Sequence, residues 1–153
     1  MIQRIQTIYL LVAAILSLLA TILPIAAFVP NGGEAFCMTA LHIQDINGAE
    51  ITGFPVWTVA VFNICSILLS TIAIFGYKNR KKQMRTTRSA ILANILALLI
   101  AACATYATLH AFELDFELRM GLIAALLAPL FNILAYRGIK HDEELVRAAD
   151  RIR

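Results

Sequence analysis

Charge is missing from four long stretches of this chain. Residues 5–28, 55–77, 89–110 and 119–136 contain no Asp, Glu or Lys, and their single arginine, Arg119, stands at the edge of the last. Proton-coupled carriers and ion pumps work through an ionisable group within the membrane, and these stretches offer none. Catalytic patterns are missing too: there is no Ser/His/Asp set, Walker loop, Rossmann loop or zinc-protease helix. Cysteine is scarce, with three residues at 37, 65 and 103. None of them falls into a Cys/His metal framework. The only residues of metal-ligand type that gather are His42, His110, Glu113 and Asp115. Their spacing matches no motif and reads as an ordinary solvated rim. No cofactor, metal or catalytic residue is therefore nominated, and the chain is expected not to be an enzyme.

What is present is apolar. Sixty per cent of the 153 residues are hydrophobic and the mean hydropathy is +0.77. A soluble domain lies nearer 45–50% apolar, so the excess calls for a nonpolar solvent. About 20 helical residues cross a bilayer core, and the four stretches are of that order. The first stretch is too long for a signal-peptide core and is followed by no small-x-small cleavage site, so it reads as an uncleaved span.

The basic residues are lopsided. Twelve of thirteen Lys and Arg fall on one side of the four stretches. Arg4 precedes the first. Lys78, Arg80, Lys81, Lys82, Arg85 and Arg88 lie between the second and third. Arg137, Lys140, Arg147, Arg151 and Arg153 follow the fourth. With Asp142, Glu143, Glu144 and Asp150 on the same side, that side carries +8 and the other −5, which together give the net +3. Loops that remain in the cytoplasm keep Lys and Arg, so the pattern predicts four spans with both termini inside. The same asymmetry accounts for the high pI, so no nucleic-acid partner is expected. Arg119, among Glu113, Asp115 and Glu117, is expected to pair locally.

The predicted fold is an all-α membrane protein, a single unit over 1–153. It is a four-helix bundle with a small extracytoplasmic β-hairpin and a short cytoplasmic amphipathic C-terminal helix. The outer loop 29–54 supplies the hairpin: Ala35 to Gln44 is extended, Asn47-Gly48 turns, and Ala49 to Thr52 returns. Pro55 suits the first turn of the second span, and Trp57 an interface. Glu113 to Leu118 alternates acidic and apolar residues, which fits either a further strand or helix ends running past the bilayer. The inner loop 78–88 is basic and should lie against anionic headgroups. In the tail 138–153, Asp142 reads as an N-cap, with Leu145, Val146, Ala149 and Ile152 at helical spacing.

Within the spans, Ala13, Ser17 and Thr21, then Ala93, Ala97, Ala101 and Thr105, then Gly121, Ala124, Ala125 and Ala128, form small-residue rows that let helix backbones approach. Cys65 and Cys103 read as small buried hydrophobes; Cys37 is expected to be free or to pair with another chain. Asn63, Asn94 and Asn132 are the strongest polar groups in the spans and read as interhelical glue. Counted from the inner span ends, Asn94 and Asn132 lie at matching depth and should face each other or share a partner. Ser66 and Ser70 share a side with Asn63.

Two segments carry a resemblance. Met1-Ile2-Gln3-Arg4-Ile5-Gln6-Thr7-Ile8-Tyr9-Leu10 and Asp142-Glu143-Glu144-Leu145-Val146-Arg147-Ala148-Ala149-Asp150-Arg151-Ile152-Arg153 resemble the ends of the domain-of-unknown-function 4293 family of Bacteroidota. The resemblance implies a small four-span protein of the inner membrane and supplies no catalytic residue. It directs attention to Gln3, Arg4 and Gln6 and to the charged tail, both on the cytoplasmic side, where they either meet each other or only anchor the chain ends at the headgroups. Arg4, Leu145, Val146, Arg147, Asp150 and Arg151 are thus the candidate interaction residues. The expected role is a non-enzymatic accessory or scaffold subunit, partnered by the lipid bilayer and by another protein or by copies of itself. The alternative is a small-molecule or lipid transporter or channel acting as an oligomer. An enzyme working through His110, Glu113 and His42 is a more distant third.

Overall fold

A computed structural model describes residues 2–29, 36–45, 55–112 and 115–151. Four helices follow from the four apolar stretches: α1 (Ile2–Ile22), α2 (Trp57–Phe75), α3 (Arg80–Phe112) and α4 (Met120–Arg151). Each is long and apolar enough to cross a membrane. Helix α1 packs beside α2 and α4, and α3 beside the same two, so α1 and α3 occupy one diagonal of the bundle and α2 and α4 the other. Short strands β1 (Ala26–Val29), β2 (Phe36–Met38), β3 (Ile43–Asp45) and β4 (Asp115–Leu118) form an antiparallel sheet in the order β3-β2-β1-β4 at one end. The basic residues collect at the opposite end.

The packing is inverted relative to a soluble bundle. Of the 23 buried hydrophobic residues described, 15 are alanine. Large side chains such as Leu11, Leu18, Ile64, Leu68, Leu92 and Leu126 lie on the outside. The predicted small-residue rows are what the helices turn toward one another: Ala13 and Ser17, Ala93, Ala97 and Ala101, and Ala124 and Ala128 are all buried. Gly121 of α4 lies close against the turn that follows α1. A Cβ there would lie 2.6 Å from the carbonyl oxygens of both Leu23 and Pro24, and the Gly121 N–H donates to Pro24 O at 2.9 Å.

Several boundaries differ from the sequence expectation. The first stretch does not stay helical to residue 28. Pro24 lacks an N–H and disfavours helix at the residue before it, so α1 stops at Ile22. The apolar residues beyond it become β1, which pairs with both β2 and β4. A hairpin turn lies at Thr39–His42, between β2 and β3; the turn expected at Asn47-Gly48 falls outside the described residues. The Thr39 hydroxyl oxygen accepts from the Leu41 and His42 N–H groups at 3.3 and 3.2 Å, a local turn that splits the supposed single strand. The alternation at 115–118 is a strand, joined to β1.

At the basic end, the inner loop is mostly helix. After one 3₁₀ turn (Gly76–Lys78), Asn79 caps α3, its Oδ1 accepting from the Lys82 N–H at 3.1 Å. No Gly or Pro interrupts the basic run that follows, so polarity alone does not make it a loop. The separate C-terminal amphipathic helix is also corrected: α4 runs unbroken to Arg151, through Gly138. Gly138 is a contact point there. A Cβ on it would lie 3.0 Å from Gln6 Cγ. Asp142 is accordingly inside a helix and not an N-cap.

Candidate functional site

Buried polar side chains mark the places where the bundle departs from simple alanine packing, because each one must find a hydrogen bond or remain costly. Thr87 and Thr108 return their hydroxyls to carbonyls of α3 itself, and the others described fall into two groups.

The first group is a ladder in the middle of the bundle. Ser17 of α1 donates to Asn94 Oδ1 of α3 at 3.2 Å, across one diagonal. Ser70 of α2 donates to Asn132 Oδ1 of α4 at 3.2 Å, across the other. Between them, Ser66 donates to the Ala90 carbonyl of α3 at 3.3 Å. Asn94 and Asn132 do not meet and share no partner. Ala90 is four residues nearer the basic end than Asn94, and Ser70 four nearer than Ser66. The two asparagines are therefore separated by roughly 12 Å along the bundle axis, at 1.5 Å per residue. Equal depth follows only from counting from the predicted span ends, and both helices run past those ends, α3 from Arg80 and α4 to Arg151, so the ends are not a common level. The Nδ2 atoms of both Asn94 and Asn132 are buried without a hydrogen-bond partner. Asn63 is buried as well, beside Asn94 on a cavity of about 10 Å³. That volume is at the lower limit for one water.

The second group ties three helix ends together at the basic end. Gln6 Nε2 donates to Asp142 Oδ2 at 2.6 Å, and Arg80 Nη1 donates to the Asp142 carbonyl oxygen at 3.0 Å. Gln6, Gln83 and Asp142 are all buried. With Tyr77, Arg80 and Ile139 they surround a second cavity of about 10 Å³. Gly138 makes this possible, since it admits the Gln6 side chain against the α4 backbone. The two segments that carry the family resemblance thus meet here, through Gln6 and Asp142.

Leu145 and Val146 are exposed on α4 beyond this junction. The side chains of Arg4, Arg147, Asp150 and Arg151 lie outside the described residues. Sequence reading did not anticipate the roles of Arg80 or Ser17. In sequence Arg80 reads as one more topology charge, and Ser17 as a small residue in a row. Ser17 was findable as a hydroxyl within an alanine-rich helix; Arg80 carried no such signal.

The remaining polar candidates stay apart. His110 packs edge-on to Tyr106 with ring centroids 4.4 Å apart. Glu113 and the Asp115 side chain fall outside the described residues, and His42 contributes its carbonyl to the Thr39 turn. Among the described residues no three metal-ligating side chains gather. Cys37, Cys65 and Cys103 are free and exposed, which corrects the buried reading of the last two. Arg119 pairs with Glu117 at 2.9 Å, the local partner expected of it.

A concavity of about 560 Å³ opens sideways between α3 and α4 near the sheet. Its walls are hydrophobic, from Leu98, Leu109, Leu122 and Leu126 over a floor of Ala26 and Ala101.

No curated protein matches this chain. A family described as a domain of unknown function (DUF4293) matches residues 2–152. From its first turn to the last turn of α4, the chain belongs to that family.

Proposed function

We propose that this is a multi-pass inner-membrane protein with both termini in the cytoplasm, acting as a non-enzymatic accessory or scaffold subunit of a membrane assembly. The membrane assignment is supported by the inverted packing. Alanine and small polar groups fill the interior, while leucine and isoleucine face out, as expected where hydrocarbon is the solvent. The orientation rests on the sequence, where twelve of the thirteen Lys and Arg fall on one side of the four apolar stretches.

One observation carries the scaffold reading. Ser17 and Ser70 bond Asn94 and Asn132 between helices, Ser66 bonds the Ala90 carbonyl, and the cavity beside Asn63 and Asn94 has room for about one water. A conducting path would need a continuous polar cavity reaching Asn63, Ser66 and Ser70. Instead both hydroxyls are fully buried in helix contacts. The surface best suited to a partner is the basic end, where the exposed Leu145 and Val146 extend past the Gln6–Asp142 junction toward Arg147, Asp150 and Arg151.

The test is crosslinking at native abundance, followed by purification in mild detergent. Co-purification of a defined partner, reduced by charge reversal at Arg147 and Arg151, is the expected result. Recovery as a lone monomer contradicts it. A lipid-handling role is the second reading, and the sideways apolar groove between α3 and α4 is the observation that favours it.

A further inference from the structure

The first turns of α3 bear a shallow, open hollow lined by Asn79, Lys81, Lys82, Arg85, Thr86 and Ser89. No carboxylate lines it. Of the nearby cations, Arg80 bonds the Asp142 carbonyl and Lys140 lies 3.7 Å from Glu144, while Arg88, beside Ser89, is exposed. Among the described residues, Lys81, Lys82 and Arg85 have no ion-pair partner. Asn79 Oδ1 is occupied by the Lys82 N–H, which leaves its amide nitrogen as a further donor at the edge. The hollow is thus a set of unpaired cations and donors, suited to a phosphate group.

The same face of α3 continues in a regular order. Lys82, Arg85, Ser89, Leu92, Leu96 and Leu99 succeed one another at alternating steps of three and four, which places them in one row. All of them are exposed. Thr86 and Ser89 return their hydroxyl protons to their own helix, to the carbonyls of Lys82 and Arg85, so the middle of the row is polar but uncharged. From Lys82 to Ser89 is about 10 Å, and from Ser89 to Leu99 about 15 Å, at 1.5 Å per residue. The second distance is half of a bilayer core of about 30 Å, the depth of one leaflet. Cations, then hydroxyls, then one leaflet of leucine repeat the order of phosphate, glycerol and acyl chain in a phospholipid.

We propose that this row of α3 binds one anionic phospholipid, with its phosphate held by Lys82 and Arg85 and a chain along Leu92, Leu96 and Leu99. The site rests on the four-span reading, because only a membrane-embedded α3 presents its leucines to a leaflet. A free phosphate shares the headgroup chemistry but has no use for the leucine row.

Native mass spectrometry of the full chain in mild detergent tests it, with phosphatidylglycerol and phosphatidylethanolamine offered separately. One phosphatidylglycerol should be retained, at least about tenfold tighter than phosphatidylethanolamine, and K82Q/R85Q should lose that margin. The control R137Q/K140Q removes the same charge from α4 at the same end and should bind within about twofold of the parent, since a local site ignores distant charge. Equal retention of the two lipids, or unchanged binding by K82Q/R85Q, overturns the site. Displacement by excess inorganic phosphate at equal charge reassigns it to a soluble anion and overturns the lipid. Carbonate extraction of native membranes separates the two levels: a protein that is washed out removes the four-span reading and this site with it. A protein that stays in the pellet but does not discriminate the lipids removes the site alone. Both exposed substitutions should leave the elution volume and melting profile of the purified protein unchanged.

Discussion

Replacing Gly121 with alanine adds one methyl group where there is no room for it. Its Cβ would lie 2.6 Å from two carbonyl oxygens and 2.8 Å from the Pro24 carbonyl carbon. All three are backbone atoms of the turn after α1, so no side chain can swing away. Relief requires the first turn of α4 to move off that turn. The Gly121 N–H bond to Pro24 O (2.9 Å) and the Arg119 N–H bond to Ile25 O (3.2 Å) would lengthen together. Overpacking of this kind costs about 1–3 kcal/mol, and each weakened hydrogen bond about 0.5–1.5 kcal/mol. Alanine recovers up to about 1 kcal/mol of helix propensity. The net expectation is a loss of about 2 kcal/mol, or a melting point lower by about 4–8 °C for a chain of this size. Gly76→Ala is the matched control, because a Cβ there meets nothing within 4 Å. It should stay within about 0.5 kcal/mol of the parent, as surface substitutions do. Thermal unfolding in detergent, followed by circular dichroism, reads both. A Gly121→Ala protein that melts at or above the parent refutes the packing argument.

Two further predictions concern the buried polar groups. A double-mutant cycle on Ser70→Ala and Asn132→Ala should give a coupling of about 0.6–1.7 kcal/mol, the range for hydrogen bonds between membrane helices. Strict additivity would mean that the 3.2 Å contact carries no energy. Asp142→Ala should destabilise by about 1.5–3 kcal/mol, since Gln6 loses a charged acceptor at 2.6 Å. Adding Gln6→Ala to that variant should cost little more, because both ends of the bond are then gone; a second loss of similar size would show that Gln6 acts elsewhere.

The helices were legible because uncharged apolar length is a coarse signal that tertiary contacts do not overturn. The sheet was only half legible. Ala26 to Val29 is as apolar as the helix before it, so hydropathy joined them, and only Pro24 marked the break. Thr39 ended β2 through a side-chain turn that no Gly, Asn or Pro announced. At the basic end, Gly138 looked like a stop. In space it is the point where Gln6 reaches α4, a contact 132 residues distant in sequence. The candidate residues were found one at a time, but their partners were not. Asn94 and Asn132 stood out as strong polar groups in apolar helices. Which serine each would bond depended on a diagonal geometry that spacing along one helix does not contain.

The central claim is that the four helices cross a bilayer with the basic end inside. The chain carries its own probes. Cys37 is exposed in the sheet, and Cys65 and Cys103 are exposed on the outer faces of α2 and α3. Spheroplasts treated with a charged, membrane-impermeant maleimide should label Cys37 alone. Cys65 and Cys103 should react only with a lipid-soluble reagent, and a cysteine placed by Lys81→Cys only after the membrane is opened. Labelling of Cys65 or Cys103 by the charged reagent at the rate of Cys37 would contradict a bilayer around the helices, and labelling of Lys81→Cys in sealed spheroplasts would contradict the orientation.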